Sequence, residues 1–235
     1  DIEVSSGVQT SIDDRNIVFF GEAGNDRIAY VNLADGGTGN DILIASTVVR
    51  NGPDFDLSRW SSANPYTWTS SVRNVGVIGK NKTTNVLFGG SGNDTITGNI
   101  FADLLIGGDD SDTITGDAGN DIIYGDAYAY IDWDGNYSSP QSYGASIRSG
   151  GADTINAGDG DDYVDGGAAN DTIDAGEGNN EVRGGLGGDT ITTGAGADLI
   201  YGDDGVDNWP GYHGADTIHA GGGDDVVYGE GGDDV

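Results

Sequence analysis

Gly89-Gly90-Ser91-Gly92-Asn93-Asp94-Thr95-Ile96-Thr97 decides how this 235-residue chain is read, because the stretch recurs in variant form with a period of nine. Its sixth position is aspartate at Asp94, Asp103, Asp112 and Asp121. The series resumes at Asp153, Asp162, Asp171, Asp189, Asp198, Asp207, Asp216, Asp225 and Asp234, with Asn180 the one departure. Two residues after each stands an apolar side chain, from Ile96 and Leu105 through Ile155, Val164 and Ile173 to Ile218 and Val227. The register does not slip between 153 and 234, so Trp209 reads as the apolar residue of the repeat that holds Asp207. Two earlier copies, at 24–28 and 36–43, have their aspartates, Asp26 and Asp41, 15 apart and out of phase with the ladder. They are expected to form an outlying, irregular coil.

Six residues rich in glycine and aspartate favour a turn, and three with a β-branched centre favour a short strand. Strands of three residues are not stable alone. If they alternate between two facing sheets, residues 18 apart become neighbours, and the apolar series forms a thin inner core. The expected fold is therefore an all-β solenoid of stacked 18-residue coils with inserted loops. Stacking would line Asp153, Asp171, Asp189, Asp207 and Asp225 along one edge and Asp162, Asn180, Asp198, Asp216 and Asp234 along the other.

Such a ladder is electrostatically unstable by itself. Carboxylates about 4.8 Å apart repel by roughly 3.5 kcal/mol per pair at an effective dielectric near 20. Forty acidic residues against nine basic ones leave a formal charge of −31, and only 35% of the chain is hydrophobic. Residues 153–235 hold seventeen aspartates and three glutamates against Arg183 alone. A low-hydrophobicity, highly charged chain does not fold on a hydrophobic core alone. A cation between coils reverses the sign, and calcium suits the spacing: oxygens on opposite sides of it lie about 4.6 to 5.2 Å apart, whereas magnesium would draw the coils together. With no cysteine and two histidines, His213 and His219, thiolate and zinc chemistry has little to work with. Both histidines read as solvent-facing.

The chain divides into an irregular N-terminal β segment over 1–83, with two outlying repeats at 21–44 and a polar, aromatic stretch at 50–74, then a first repeat block over 84–124. An aromatic insertion loop follows over 125–147, carrying Tyr128, Tyr130, Trp133, Tyr137 and Tyr143, and a second block spans 148–235. Strand-like runs at 75–78 and 85–88 read as a cap on the first block. The charge disfavours nucleic acid and anionic membranes, and no apolar run is long enough to span a bilayer. The absence of methionine and an end inside a repeat lead us to expect a piece of a longer polypeptide. No nucleophile elbow or zinc-protease motif is present, and no catalytic or cofactor-binding residue is assigned.

The motif Gly-Gly-x-Gly-x-Asp-x-apolar-x resembles the calcium-binding nonapeptide of RTX (repeats-in-toxin, hemolysin-type) proteins, closely over 84–124 and 148–235 and loosely over 21–44. The resemblance implies a parallel β-roll holding several Ca2+ ions. It implies as ligands the sixth-position residues Asp26, Asp41, Asp94, Asp103, Asp112, Asp121, Asp153, Asp162, Asp171, Asn180, Asp189, Asp198, Asp207, Asp216, Asp225 and Asp234. It adds turn residues that offer main-chain carbonyls: Gly89, Ser91, Gly107, Asp109, Gly116, Ala118, Gly166, Ala168, Gly184, Leu186, Gly202 and Asp204. Asn180 lacks charge and is expected to coordinate weakly through its amide oxygen, while Phe101, Asp110 and Ala169 replace the fourth-position glycine. The resemblance also implies type I secretion and a place in a secreted, extracellular or cell-surface bacterial protein such as a surface-layer (S-layer) protein, adhesin or toxin. Its implied partners are calcium and the remainder of the same polypeptide, with self-assembly or a cell-surface glycan open. Two alternatives stand beside it: a non-catalytic module of a secreted protease, lipase or alginate epimerase, and a glycan-binding adhesin module using the aromatic loop.

Overall fold

In the computed structural model the described residues are 3–4, 9–13, 16–20, 25, 27–31, 33–45, 85–126, 150–203 and 213–235. Among them every regular element is a strand, and the strands, numbered along the chain, belong to two sheets. The first sheet runs Glu3–Val4 (β1), Arg27–Val31 (β4), Ile42–Ala45 (β6), Thr95–Asn99 (β8), Thr113–Asp117 (β10), Thr154–Asn156 (β12), Thr172–Asp174 (β14), Thr190–Thr192 (β16) and Thr217–His219 (β18). The second runs Gln9–Asp13 (β2), Asn16–Phe20 (β3), Leu33–Thr38 (β5), Val86–Ser91 (β7), Leu104–Asp109 (β9), Ile122–Tyr124 (β11), Tyr163–Ala168 (β13), Glu181–Leu186 (β15), Leu199–Asp203 (β17) and Val226–Tyr228 (β19). Pairing is parallel throughout, except that β1 pairs β4 and β2 pairs β3 in antiparallel fashion at the N-terminal end. The chain is a parallel β-roll.

Register follows the nine-residue period. Ile96 pairs Ile114, Leu105 pairs Ile123 and Val164 pairs Val182, each 18 residues apart. These side chains point between the sheets and form one continuous buried core with Ile28, Leu43, Leu87, Ile155, Ile173, Ile191 and Ile200. A one-residue slip would expose the whole series, so burial of one side chain per half coil pins the register. On the outer face of the first sheet the flanking positions carry Thr95, Thr113, Thr154, Thr172 and Thr190, a solvated row suited to strands.

Four expectations change. The pair of outlying repeats is stacked within the roll as an irregular coil: Ile28 pairs Leu43 and Leu43 pairs Ile96, the register of β4 on β6 shifts between Ala29 and Val31, and β5 follows β4 after a single residue. The segment at 85–88 is no cap, since β7 pairs β5 on one side and β9 on the other. The proposed strand at 75–78 lies outside the described residues.

The third change is the register near the C-terminus. Thr190 pairs Thr217 and Leu199 pairs Val226, so these coils span 27 residues, not 18. One whole nonapeptide, 204–212, is an insertion. Being nine long, it preserves the sequence phase; Asp216 takes the place above Asp189, and Asp207 and Trp209 lie outside the described residues. The fourth concerns the first loop: Ile114 pairs Ile155 across a coil of 41 residues, which places the extra chain between Asp126 and Gly150.

Candidate metal centre

The roll has two rows of turns. Those leading into the first sheet stack Asp41, Asp94, Asp112, Asp153, Asp171, Asp189, Asp216 and Asp234. Those leading into the second stack Asn85, Asp103, Asp121, Asp162, Asn180, Asp198 and Asp225. The inserted nonapeptide thus puts Asp216, and not Asp207, above Asp189. Asp26 and Asp204 lie outside the described residues.

Each row is one repeated interaction. The main-chain N–H of a sixth-position residue donates to Oδ1 of the sixth-position side chain one coil further on: Asp94 to Asp112 at 2.8 Å, Asp112 to Asp153 at 2.7 Å, Asp153 to Asp171 at 2.8 Å, Asp171 to Asp189 at 2.8 Å. The side chains are almost wholly buried, except at the C-terminal end, where Asp225 is half-buried and Asp234 exposed. Oδ1 is therefore committed to holding the coils together. The other oxygen, Oδ2, is buried without any donor in Asp112, Asp121, Asp153, Asp162, Asp171, Asp189, Asp198 and Asp216.

Buried carboxylate oxygens without partners are costly, by several kcal/mol each even after relaxation, unless a proton or a cation meets them. Burial, opposed by the hydrogen bond and reinforced by neighbouring carboxylates, raises Asp112 and Asp121 from 3.8 to about 8. It raises Asp153 and Asp171 to about 9, Asp189 to about 7 and Asp162 and Asp216 to about 6. Arg183 does not serve the rows: its guanidinium meets Glu181 at 3.1 Å and lies 4.8 Å from the Tyr201 ring centre on the outer face of the second sheet.

Carbonyls join these oxygens. A Cβ on Gly166 would fall 2.5 Å from the Gly184 carbonyl oxygen and 2.6 Å from Asp171 Oδ2. Gly89, Gly107, Gly125, Gly184 and Gly202 show the same convergence of one carboxylate and one carbonyl from the next coil. First-position glycine on this row keeps the space between the two oxygens open. On the opposite row Gly98 and Gly116 are alike, but Ala157, Ala175, Thr193 and Ala220 carry side chains there, and the two alanines nearest the centre join the core. Among the described residues no three carboxylates or imidazoles converge. The donor set is one carboxylate oxygen per turn plus carbonyls of adjoining turns, an all-oxygen set that fits a hard, high-coordination cation such as calcium.

Individual turns differ. Asp110 and Ala169 take left-handed φ values of 74° and 81°, so the turn survives loss of its fourth-position glycine, whereas Phe101 does not adopt that conformation and its N–H is capped by Asn99 Oδ1 at 2.8 Å. The turn around Phe101 folds differently as a result. Asp103 Oδ2 accepts the N–H of Asn99 at 2.8 Å, and its Oδ1 takes the N–H of Asn85, so both oxygens already have donors. Asn180 keeps its place in the ladder without a charge. Its amide oxygen accepts from Asp162, and its Nδ2 donates to the Gly176 and Gly178 carbonyls at 3.3 and 3.4 Å, so the neutral amide itself ties up the carbonyls of its turn.

Ser91, Asp109, Ala168 and Leu186 end strands of the second sheet in paired register, and Ala118 stands at the corresponding point of the other row. His219 is exposed as expected, but His213 is not: its ring turns inward, Nδ1 lying 3.0 Å from Asp203 Oδ2. Sequence reasoning passed over Asp126 and Asp203, buried carboxylates at the second position of their turns. A Gly-Asp dipeptide ahead of each interruption was the available signal.

The family model RTX calcium-binding nonapeptide repeat (4 copies) matches residues 29–47, 82–100, 97–127, 148–182, 174–208 and 211–235, together more than half of the chain. No curated protein and no solved structure matches it.

Proposed function

The chain belongs to the RTX calcium-binding nonapeptide repeat family, and from that premise we propose that it is a module that folds when calcium reaches its two rows of turns, within a larger secreted bacterial polypeptide. The observation that carries the reading is the series of buried Oδ2 atoms without donors, stacked coil upon coil. When bound, calcium supplies two positive charges and a flexible shell of oxygen ligands. Asp112, Asp153, Asp171, Asp189 and Asp216 on one row, with Asp121, Asp162 and Asp198 on the other, would hold it through Oδ2, their Oδ1 atoms remaining in the inter-coil ladder. Carbonyls of first-position residues complete the donor set, glycines on the first row and residues such as Ala157 on the other.

Coupling of binding to folding follows from the charge. Without a cation the unfolded chain keeps its carboxylates hydrated and apart, and the folded roll does not. Low calcium inside a cell leaves the chain extended and suited to export, and millimolar calcium outside folds it. In this reading the module is non-catalytic and acts as a rigid spacer in a surface-layer protein, adhesin or toxin.

Stripping the protein of metal and titrating calcium under circular dichroism, with magnesium in parallel, tests the proposal. A cooperative rise of β-signal with calcium and not with magnesium is expected. A chain already folded in chelator at neutral pH would overturn it.

A further inference from the structure

Two of the insertions leave the roll at the same point. The chain departs after the second residue of a turn, at Asp126 and at Asp203, and rejoins it near Gly150 and His213, which bridge Asp110 and Gly187 of the preceding coil. Both departing residues follow a glycine. The same Gly-Asp dipeptide occurs at 116–117 in an uninterrupted turn, where Asp117 has a left-handed φ of 82° and an exposed side chain. Asp126 and Asp203 stay out of that conformation, and their side chains are 4% and 0% exposed. Where the backbone does not turn, the carboxylate goes inward in its place.

Each replaces a main-chain acceptor. In unbroken turns of the other row the third-position N–H donates to the second-position carbonyl of the preceding coil, as from Asp159 to Asp117 and from Glu177 to Gly158, both at 3.0 Å. At the insertions the corresponding N–H groups, of Ala168 and Gly231, donate to Asp126 Oδ2 at 2.8 Å and to Asp203 Oδ2 at 2.9 Å.

Asp203 is the more exposed to need. Its Oδ2 is engaged by Gly231 and faced by His213, while its Oδ1 is buried without a donor, as is Oδ2 of Asp216 in the same turn. Both carboxylates meet the following turn, which holds Asp234: Asp203 Oδ2 takes the Gly231 N–H, and Asp216 Oδ2 converges with the Gly229 carbonyl oxygen. Arg183, the one basic residue between 153 and 235, is engaged elsewhere. We infer that Asp203, outside the repeat's sixth position, is an additional carboxylate ligand for a calcium ion held between the Asp216 and Asp234 turns, where Asp216 Oδ2 and the Gly229 carbonyl oxygen converge. The inference rests on the calcium reading of the roll.

Calcium uptake by the full chain, counted by isothermal titration with calcium chloride and paired with circular dichroism at saturating calcium, tests it. Asp203→Asn keeps an acceptor for Gly231 and removes the charge. It is expected to fold at saturating calcium but to lose one ion from the count, or to bind one ion at least about tenfold more weakly. Asp117→Asn is expected to match the wild type. An Asp203→Asn protein with unchanged count and affinity would overturn the assignment. If that variant does not fold, Asp203→Ser is counted instead, and failure of both to fold makes the residue purely structural and overturns it too. A wild-type chain that takes up no calcium defeats the reading of the roll itself, a result separate from a wild type that binds calcium and a variant that binds as much.

Discussion

At the level of single residues, one carboxylate does two jobs with two oxygens, and the turns can be ranked by whether the second oxygen is already spoken for. Asp171 Oδ2 has no donor, whereas Asp103 Oδ2 has the Asn99 N–H. Asp171→Asn is therefore expected to raise the calcium needed for half-folding severalfold, and Asp103→Asn to cost about 1 kcal/mol of stability for its lost hydrogen bond while leaving the number of bound ions unchanged. Titrations of the two variants side by side check this, and equal effects would contradict the ranking. Glycine at the first position is required for a related reason. Gly166→Ala sets a methyl 2.5 Å from the Gly184 carbonyl oxygen, so it is expected to weaken calcium-dependent folding, while Ala157→Gly on the other row removes a core methyl and costs about 1 kcal/mol without touching the ion count. Asp94 and its companions were legible as ligand candidates from period alone. The donors that engage both oxygens of Asp103 were not, because they come from turn geometry that Phe101 and the neighbouring coil impose.

At the level of coils, length is set by what must return to register and not by the repeat count. The 27-residue coils show that the stack can advance over three nonapeptides where the period alone predicts two. Deleting residues 204–212 is accordingly expected to preserve the cooperative calcium transition and to stabilise the roll slightly, by about 0.4 kcal/mol from the shorter closure. Circular dichroism melts at fixed calcium measure it. If Asp207 and Trp209 belonged to the ladder, the deletion would instead remove a turn and an inward side chain and move every later strand to the opposite sheet. The inner series tolerates no such loss: Ile173→Ala is expected to cost about 2 to 5 kcal/mol, since the cavity lies between strands too short to collapse around it.

For the whole molecule, the balance between charge and burial sets the response to pH. In the metal-free fold, burial lifts ladder carboxylates such as Asp112 to about 8 and Asp153 to about 9, against 3.8 when unfolded. The folded chain then holds more protons than the unfolded one between about pH 4 and pH 9, and stability falls as pH rises through that window. In chelator, β-signal is expected near pH 4 to 5 and lost as the pH rises to neutrality, and calcium addition at pH 5, where the metal-free fold holds its protons, is expected to release them, measurable by pH-stat. Insensitivity of the metal-free signal to pH would show that the ladder is neutralised in another way. The sequence by itself determined the period, the inward apolar series, the two rows of aspartates and the need for a cation, because these depend on spacing and charge that are local and repeated. Only the tertiary structure decided which aspartates stack on which, that the 15-residue pair belongs to the roll, and that Asp203 and His213 turn inward. Those outcomes depend on which strand the chain rejoins after an insertion. A nine-residue phase is blind to that choice, whereas hydrogen bonds between coils are not.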